Sequence, residues 1–284
     1  MADGLFVALH RDWAMGLARG QGRAAAYPTD GAAWLLGLAA VSLLVGATLW
    51  LFCGYQAGFA RFNEAAGLLP PWAWAMLTVL GDERVAFALA LFAARRHPQI
   101  FWSLVCAGVV AAAYTHGLKP SFAALRPPAV LAAGDFNLIG PGPRQRSFPS
   151  GHTVTAAVFF GVLAYHARGW PWRLALIGVA VAAGMSRVAV GVHWPIDVAA
   201  GLFGGALAAL AGIWLARRVT VGARDVSVHL ALVTLASIMA AALLLWDGGY
   251  ADAALMQRLI GWSALGYVFL VYLALPIAWS RRPS

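Results

Sequence analysis

Hydrophobic residues occur in runs of about 20 along most of this chain, and short polar stretches separate the runs. A helix needs roughly 20 apolar residues to cross the hydrocarbon core of a bilayer. The pattern predicts eight membrane-spanning helices, at residues 33–53, 71–94, 99–118, 152–167, 174–191, 196–216, 227–246 and 259–279. Gly81-Asp82-Glu83-Arg84 interrupts the second of these, which we count as one broken span. The sequence therefore predicts an all-α, polytopic helical membrane protein.

The composition supports this class of protein. Hydrophobic residues make up 62% of the 284 positions and charged residues 11%, whereas a soluble domain carries roughly 25% charged residues. A water-soluble enzyme and a disordered chain are therefore excluded. The first 32 residues include a mixed stretch, LFVALHRDWAMGLAR, that is too charged and too short for a signal peptide. We interpret residues 1–32 as a cytoplasmic or interfacial segment.

Most of the basic residues lie in short tracts between the apolar runs, which is typical of membrane topology and not of nucleic-acid binding. Eight spans place both termini on one side of the membrane. That side holds twelve arginines and is therefore predicted to be cytoplasmic: Arg11, Arg19, Arg23, Arg95, Arg96, Arg168, Arg173, Arg217, Arg218, Arg224, Arg281 and Arg282. We expect a multi-pass protein of a bacterial inner membrane.

The opposite side, predicted to face the periplasm or exterior, carries basic residues that the positive-inside tendency disfavours. Outside the long loop 119–151 and the turn 187–195, this side holds only Arg61 and Arg258. The loop and the turn themselves hold five basic residues: Lys119, Arg126, Arg144, Arg146 and Arg187. Charged groups are unfavourable in a bilayer by roughly 2.5–3.5 kcal/mol at its centre, so this cluster indicates a functional surface.

The tract Pro149-Ser150-Gly151-His152 opens an apolar helix and predicts an anion site. Unpaired N–H groups and the positive end of the helix dipole point outward from such a start. Gly151 lets an oxyanion approach the backbone, and the Ser150 hydroxyl adds a donor. Lys119, Arg126 and Arg187 can add three positive charges, and the guanidinium forks of the two arginines suit phosphate oxygens. Three cations favour a phosphate over a carboxylate as the ligand.

The pair His193 and Asp197 predicts an activated imidazole. Pro195 stands at a favoured first helical position, so Asp197 lies about one turn into the helix and can reach back to His193. A carboxylate that accepts a hydrogen bond from Nδ1–H fixes the tautomer and leaves an oriented lone pair on Nε2. His152 is then available as an acid, and two histidines in a cationic pocket indicate in-line phosphoryl transfer.

The tracts K-x6-RP at Lys119, PSGH at Pro149 and SR-x5-H-x3-D at Ser186 resemble the three-part signature of the type 2 phosphatidic acid phosphatase superfamily. All eleven specified positions are present, and hydropathy favours the membrane lipid-phosphate phosphatase branch. The resemblance implies that His193 forms a phosphohistidine, that Asp197 orients it, and that His152 protonates the leaving group and activates water. It also implies that no metal or other cofactor is required, and that five residues bind the phosphoryl oxygens: Lys119, Arg126, Ser150, Gly151 and Arg187.

The resemblance also implies a domain organisation. A six-span phosphatase core would cover residues 33–217, and residues 218–284 would form a two-span extension for which the sequence suggests no role. The expected partners are the bilayer and a lipid phosphate, with no nucleic acid, and nothing in the sequence indicates an oligomeric state. Candidate substrates are undecaprenyl diphosphate, phosphatidic acid, phosphatidylglycerol phosphate and lipid A phosphates.

Three functions stay open at this point. The first is hydrolysis of a lipid phosphomonoester or diphosphate, including the phosphates of lipid A. The second is a lipid-to-lipid phosphotransferase that uses the same site. The third is a non-catalytic binder or translocator of lipid phosphates, against which the oriented imidazole argues because binding alone does not need it.

Overall fold

The structure, a computed structural model, describes residues 2–280, and these residues contain helices and no β-strand. The prediction of an all-α protein is confirmed. The chain forms fourteen α-helices within this range: α1 (Ala2–Ala24), α2 (Ala32–Thr48), α3 (Phe59–Ala66), α4 (Pro71–Val79), α5 (Glu83–Ala94), α6 (Pro98–Leu118), α7 (Pro127–Val130), α8 (Gly151–His166), α9 (Trp170–Ala189), α10 (Pro195–Arg218), α11 (Val221–Arg224), α12 (Val226–Leu245), α13 (Ala254–Phe269) and α14 (Leu275–Ser280).

Six helical segments in the described range are long and apolar enough to cross a membrane: Ala32–Cys53, Pro98–Leu118, Trp170–Ala189, Pro195–Arg218, Val226–Leu245 and Ala251–Ser280. They correspond to six of the eight predicted spans. A seventh predicted span, 152–167, is the helix α8, which has 16 residues. The protein is thus a multi-pass membrane protein.

The stretch 71–94 is two helices, α4 and α5, and not one broken span. The Asp82 side chain accepts a hydrogen bond from the backbone N–H of Arg84 at 2.8 Å, and thereby caps the start of α5. Gly81 packs against the start of α8, where an added Cβ would lie 2.5 Å from the His152 carbonyl oxygen. The break between α4 and α5 therefore lies against the start of α8, the helix predicted to bind an anion.

Helices α8 and α10 form the centre of the bundle. Most residues of α8 are buried around its whole circumference, and α10 contacts α2, α6, α8 and α9. A Cβ at Gly205 would lie 2.5 Å from the Ala157 side chain, and one at Gly212 would lie 2.3 Å from the Ala107 backbone. The two glycines allow α10 to approach α8 and α6 more closely than any larger residue would.

The C-terminal helices α12 and α13 pack on each other and on α5. Helix α5 in turn contacts α6 and α8, so it joins these helices to the centre of the bundle. Helix α1 contacts α6, α11, α12 and α14. The last two spans therefore pack beside the central helices through α5.

Several predicted cytoplasmic arginines gather at one end of the bundle. Arg95 pairs with Asp12 of α1 at 2.5 Å, and Arg173 pairs with Asp30 at 2.5 Å. The Arg23 side chain donates to the Arg96 carbonyl at 2.9 Å. Arg281 and Arg282 of the predicted cytoplasmic set lie outside the described residues. The loop 119–150 and the turn 190–194 join the opposite ends of the helices.

Candidate active site

His193 and Asp197 are held together by the turn that starts α10. Pro195 is the first residue of this helix, and the Asp197 carboxylate accepts from the backbone N–H of Trp194 at 2.9 Å. His193 Nδ1 lies 3.1 Å from Asp197 Oδ2, and both side chains are buried. The pair occupies a fixed geometry at the mouth of a membrane helix.

The contacts of His193 determine which ring nitrogen carries the proton. Arg126 Nη1 lies 3.0 Å from His193 Nε2. A guanidinium group can only donate, so Nε2 must accept and Nδ1 must carry the hydrogen that it donates to Asp197. Burial, followed by the charge of Arg126, lowers the pKa of His193 below its ordinary value. The imidazole is therefore neutral near pH 7, with its lone pair on Nε2.

Two further side chains donate to Asp197. The Tyr55 hydroxyl donates to Oδ1 at 2.5 Å, and the Ser147 hydroxyl donates to Oδ2 at 2.5 Å. Together with His193 and the Trp194 N–H, they give the buried carboxylate four donors, which favour its charged form. Sequence reasoning missed Tyr55 and Ser147, because neither belongs to a motif and both reach Asp197 from distant loops.

The start of α8 lies beside this pair. Ser150 is the N-cap residue, and its hydroxyl accepts from Thr153 Oγ1 at 2.8 Å. The Ser150 N–H donates to the Asp197 carbonyl at 3.1 Å, which ties the start of α8 to α10. An added Cβ at Gly151 would lie 3.7 Å from Lys119 Nζ, so the ammonium group stands over the glycine. The helix start and a cation thus face the same space.

His152 lies among the cations and next to the second histidine. The groups that act on it electrostatically are Arg187, His193, Arg126 and Lys119. The structure therefore gathers all eight predicted site residues, from the loop 119–150, α8, α9, the turn 190–194 and α10, in one region. The convergence required by the three separate sequence tracts occurs at a single end of the bundle.

Lys119 and Arg126 lie close to other positive charges. Burial and the charges of Arg126 and Arg146 lower the pKa of Lys119. Burial and the charge of Arg187 lower the pKa of Arg126 to about 10. Within residues 2–280, no carboxylate lies within 4 Å of Lys119, Arg126 or Arg187. The cluster therefore favours an anionic ligand.

Arg126 and Arg187 differ in which of their guanidinium nitrogens are hydrogen-bonded to the protein. Arg126 Nε donates to the Gln145 carbonyl at 2.9 Å, and Nη2 donates to the Arg146 carbonyl at 3.3 Å. Its forked edge is therefore occupied by the main chain. Arg187 Nη1 donates to Thr78 Oγ1 at 2.7 Å and to the Tyr250 hydroxyl at 2.9 Å, while its buried Nε has no partner among the described residues. In Arg187, therefore, the edge formed by Nε and Nη2 is available to bind a ligand.

The described residues contain no group of three or more His, Cys, Asp or Glu side chains that could hold a metal ion. The positive charge at this site comes from the protein side chains. These side chains combine an oriented imidazole, a second imidazole, a helix start and three cations. Such a set can bind a phosphoryl group and transfer it.

Residues 99–221 match the family model described as the PAP2 superfamily. Over this segment the chain is similar to the PAP2 superfamily. The resemblance found in the three sequence motifs, to the type 2 phosphatidic acid phosphatases of membranes, is confirmed. The matched segment contains all eight predicted site residues, from Lys119 to Asp197, and it ends at the start of α11.

Curated relatives of the PAP2 segment include two named phosphatases. The lipid A 1-phosphatase of Rhizobium etli is 48% identical over 73 residues, which are 25% of this chain and 30% of the relative. The undecaprenyl-diphosphatase of Sulfolobus acidocaldarius is 44% identical over 64 residues, 22% of this chain and 31% of the relative. The chain thus aligns with about a third of the length of the curated relatives that it matches.

A solved structure resembles a larger part of the fold. The crystal structure of Aquifex aeolicus LpxE superposes with a TM-score of 0.50 and 28% sequence identity. The superposition covers 55% of this chain and 92% of that chain. Nearly the whole of the other protein is therefore matched, while a large part of this chain has no counterpart in it.

Proposed function

We propose that this protein is an integral membrane phosphatase that hydrolyses a lipid phosphomonoester or diphosphate through a phosphohistidine on His193. The observation that carries the proposal is the hydrogen-bonded series Asp197–His193–Arg126, which places the Nε2 lone pair at a cluster of three cations without carboxylate partners. A structural histidine needs no such surroundings. The similarity of residues 99–221 to the PAP2 superfamily supports the same chemistry.

The first chemical step is an in-line displacement at phosphorus. A phosphoryl oxygen anion is a better acceptor than a neutral imidazole, so the bound phosphate draws Arg126 Nη1 away from Nε2 and frees the lone pair. Nε2 forms a bond to phosphorus while the bond to the lipid oxygen breaks. His152 takes up a proton when the negative charge of the bound phosphate offsets the surrounding cations, and it donates this proton to the departing oxygen. Asp197 stabilises the positive charge that develops on His193.

The second step returns the enzyme to its starting state. His152, now neutral, accepts a proton from a water molecule that attacks phosphorus, and the bond from phosphorus to Nε2 breaks. Inorganic phosphate leaves, and Nε2 recovers its lone pair. The charge that a divalent metal supplies in many phosphatases is supplied here by Lys119, Arg126 and Arg187, so we propose a metal-independent reaction.

Apolar side chains around the cation cluster support a lipid substrate. Phe122 and Leu125, between Lys119 and Arg126, are 41% and 49% exposed. The Phe122 ring lies against Phe148, with 4.7 Å between ring centroids. A phosphate can thus reach the cations while an acyl or prenyl chain stays in contact with apolar groups. The names of the curated relatives make lipid A phosphates and undecaprenyl diphosphate the first substrates to test.

We place the site on the face opposite the arginine-rich end, towards the periplasm or exterior. The positive-inside tendency supports this orientation, because arginines of α1, α5 and α9 gather at the other end of the bundle. A membrane-impermeant reagent that reacts with a cysteine placed at Leu138 in intact cells or spheroplasts would test the orientation. Labelling only after the membrane is permeabilised would show that the site faces the cytoplasm.

The proposed function is tested by phosphate release from purified protein in detergent, with EDTA present and no acceptor lipid. We expect release from at least one of undecaprenyl diphosphate, phosphatidic acid, phosphatidylglycerol phosphate and lipid A. An acid-labile, alkali-stable ³²P label should appear on the wild-type protein and be missing from His193→Gln. Turnover that requires an acceptor lipid would instead establish a phosphotransferase, and binding without turnover on any substrate would establish a binder.

A further inference from the structure

The loop 246–250, which joins α12 to α13, reaches the candidate active site from outside the PAP2 segment 99–221. Tyr250 in this loop is 5% exposed and packs with Val190 and Val192, next to His193. Its hydroxyl accepts a hydrogen bond from Arg187 Nη1 at 2.9 Å. The C-terminal spans therefore contribute a side chain that touches a predicted phosphate-binding residue.

Two glycines allow the loop to reach this position. Gly248 and Gly249 have positive φ angles of 68° and 86°, which larger residues adopt rarely. A Cβ at Gly248 would lie 2.9 Å from Arg84 Nη2, and one at Gly249 would lie 2.9 Å from the Pro141 ring. The backbone thus passes between the start of α5 and the loop 128–148. Arg84 secures the loop further, because its Nη1 donates to the Trp246 carbonyl at 2.7 Å.

The hydrogen bonds that Arg187 donates indicate the role of Tyr250. A guanidinium group has five donor hydrogens, two of them on Nη1. Thr78 and Tyr250 accept from Nη1, so the hydrogens left for a ligand are those of Nε and Nη2. Nε is buried without a partner among the described residues. The Nε and Nη2 pair is the edge that binds two oxygens of a phosphate at once.

We propose that Tyr250 is a positioning residue of the C-terminal extension, which together with Thr78 turns the Nε and Nη2 edge of Arg187 towards the phosphoryl group. The inference rests on the proposed function, since it assigns a role to a residue that acts on the same site. The ring of Tyr250 also packs under the loop 128–148: a Cβ at Gly140 would lie 2.7 Å from the Tyr250 ring. The extension therefore orients the Arg187 side chain and also packs against the loop 128–148.

The test compares two buried tyrosines of the extension. Tyr250→Phe keeps the ring and removes the hydroxyl that accepts from Arg187. Tyr272→Phe is the matched control, because its hydroxyl bonds to His229 at the other end of α12. We expect Tyr250→Phe to weaken orthovanadate binding and to raise KM about fivefold to tenfold, with a smaller change in kcat. Tyr272→Phe should leave both values unchanged, and both variants should elute as folded protein.

A double-mutant cycle with Arg187→Lys separates positioning from general packing. Lysine keeps the charge but lacks the forked edge, so Tyr250→Phe should add little to Arg187→Lys if the hydroxyl acts through the guanidinium. Equal effects of Tyr250→Phe in both backgrounds would overturn the proposal. If the wild-type enzyme is active and Tyr250→Phe binds vanadate as tightly as wild type, the role proposed for Tyr250 is wrong, while the proposed function stands. A wild-type protein that neither binds vanadate nor releases phosphate would overturn the proposed function and, with it, this inference.

Discussion

A buried histidine hydrogen-bonds to another side chain at each end of the helix bundle, and the two surroundings differ. At the arginine-rich end, His229 Nε2 lies 2.7 Å from the Tyr272 hydroxyl, and the neighbouring Arg95 is paired with Asp12. At the other end, His193 faces Arg126, while Asp197 is the carboxylate that it bonds to. At the arginine-rich end the neighbouring arginine is paired with a carboxylate. At the other end Arg126 has no carboxylate from the described part of the chain within 4 Å.

The difference supports the proposal that the cluster around His193 is the one that performs chemistry. Charges that pair with one another satisfy each other and stabilise a fold without needing a ligand. Cations that lie together without carboxylates repel one another, and a phosphate relieves this repulsion. A histidine alone is therefore a poor indicator of a site, whereas a histidine beside unpaired cations is a good one.

The largest expected effect separates the two histidines directly. His193→Ala should reduce phosphate release by roughly 10⁴-fold or more, because it removes the proposed nucleophile. His229→Ala removes a hydrogen bond at the arginine-rich end and should leave kcat per folded molecule within about threefold. The measurement is initial-rate phosphate release from detergent-solubilised protein, normalised to the monodisperse fraction. Comparable losses in both variants would remove the distinction between the two ends.

The next effect concerns Asp197, the carboxylate proposed to orient the nucleophile. Asp197→Asn keeps the size of the side chain but can no longer fix the Nδ1 proton, so we expect kcat to fall by about 10²- to 10⁴-fold. Asp12→Asn at the other end breaks the pair with Arg95 and serves as the control. A rate for Asp197→Asn close to that of wild type would show that the ring is oriented by other contacts.

The pH dependence tests the electrostatic half of the comparison. The proposed attack requires neutral His193, whose pKa is lowered first by burial and then by Arg126. The acid limb of the kcat/KM profile should therefore lie below pH 6.5, with activity lost as the pH falls through the lowered pKa. Arg126→Gln should move that limb to higher pH, in addition to lowering its height. A limb that does not move would mean that Arg126 has no influence on the nucleophile.

The smallest of these effects belongs to a residue that the sequence did not indicate. Tyr55→Phe removes one of four donors to Asp197, so kcat should fall by about threefold to tenfold. Ser147→Ala, which removes a donor from the oxygen that also bonds to His193, should have a larger effect. Steady-state kinetics on the two variants would rank the donors, and the reverse order would contradict the assignment of Ser147 to the shared oxygen.

Much of this molecule follows from its sequence, because hydropathy and motif spacing act locally. The apolar runs predict eight spans, and six of them are helices long and apolar enough to cross a membrane in the described residues. The i, i+4 spacing of His193 and Asp197 predicts their contact. Tyr55, Ser147 and Tyr250 were missed because they reach the site only through tertiary packing. The halves of 71–94 were joined in the prediction because hydropathy does not register the cap that Asp82 gives to α5.

The length of α8 has a consequence for the depth of the candidate active site in the membrane. Sixteen helical residues span about 24 Å, whereas the hydrocarbon layer is about 30 Å thick. Because other helices surround α8, lipid does not have to adapt to its length, and the difference of about 6 Å leaves room for a recess at the end of the helix. A recess at the start of α8 would place the reacting phosphorus below the membrane surface, while the acyl or prenyl chain of the lipid stays at the depth of the hydrocarbon.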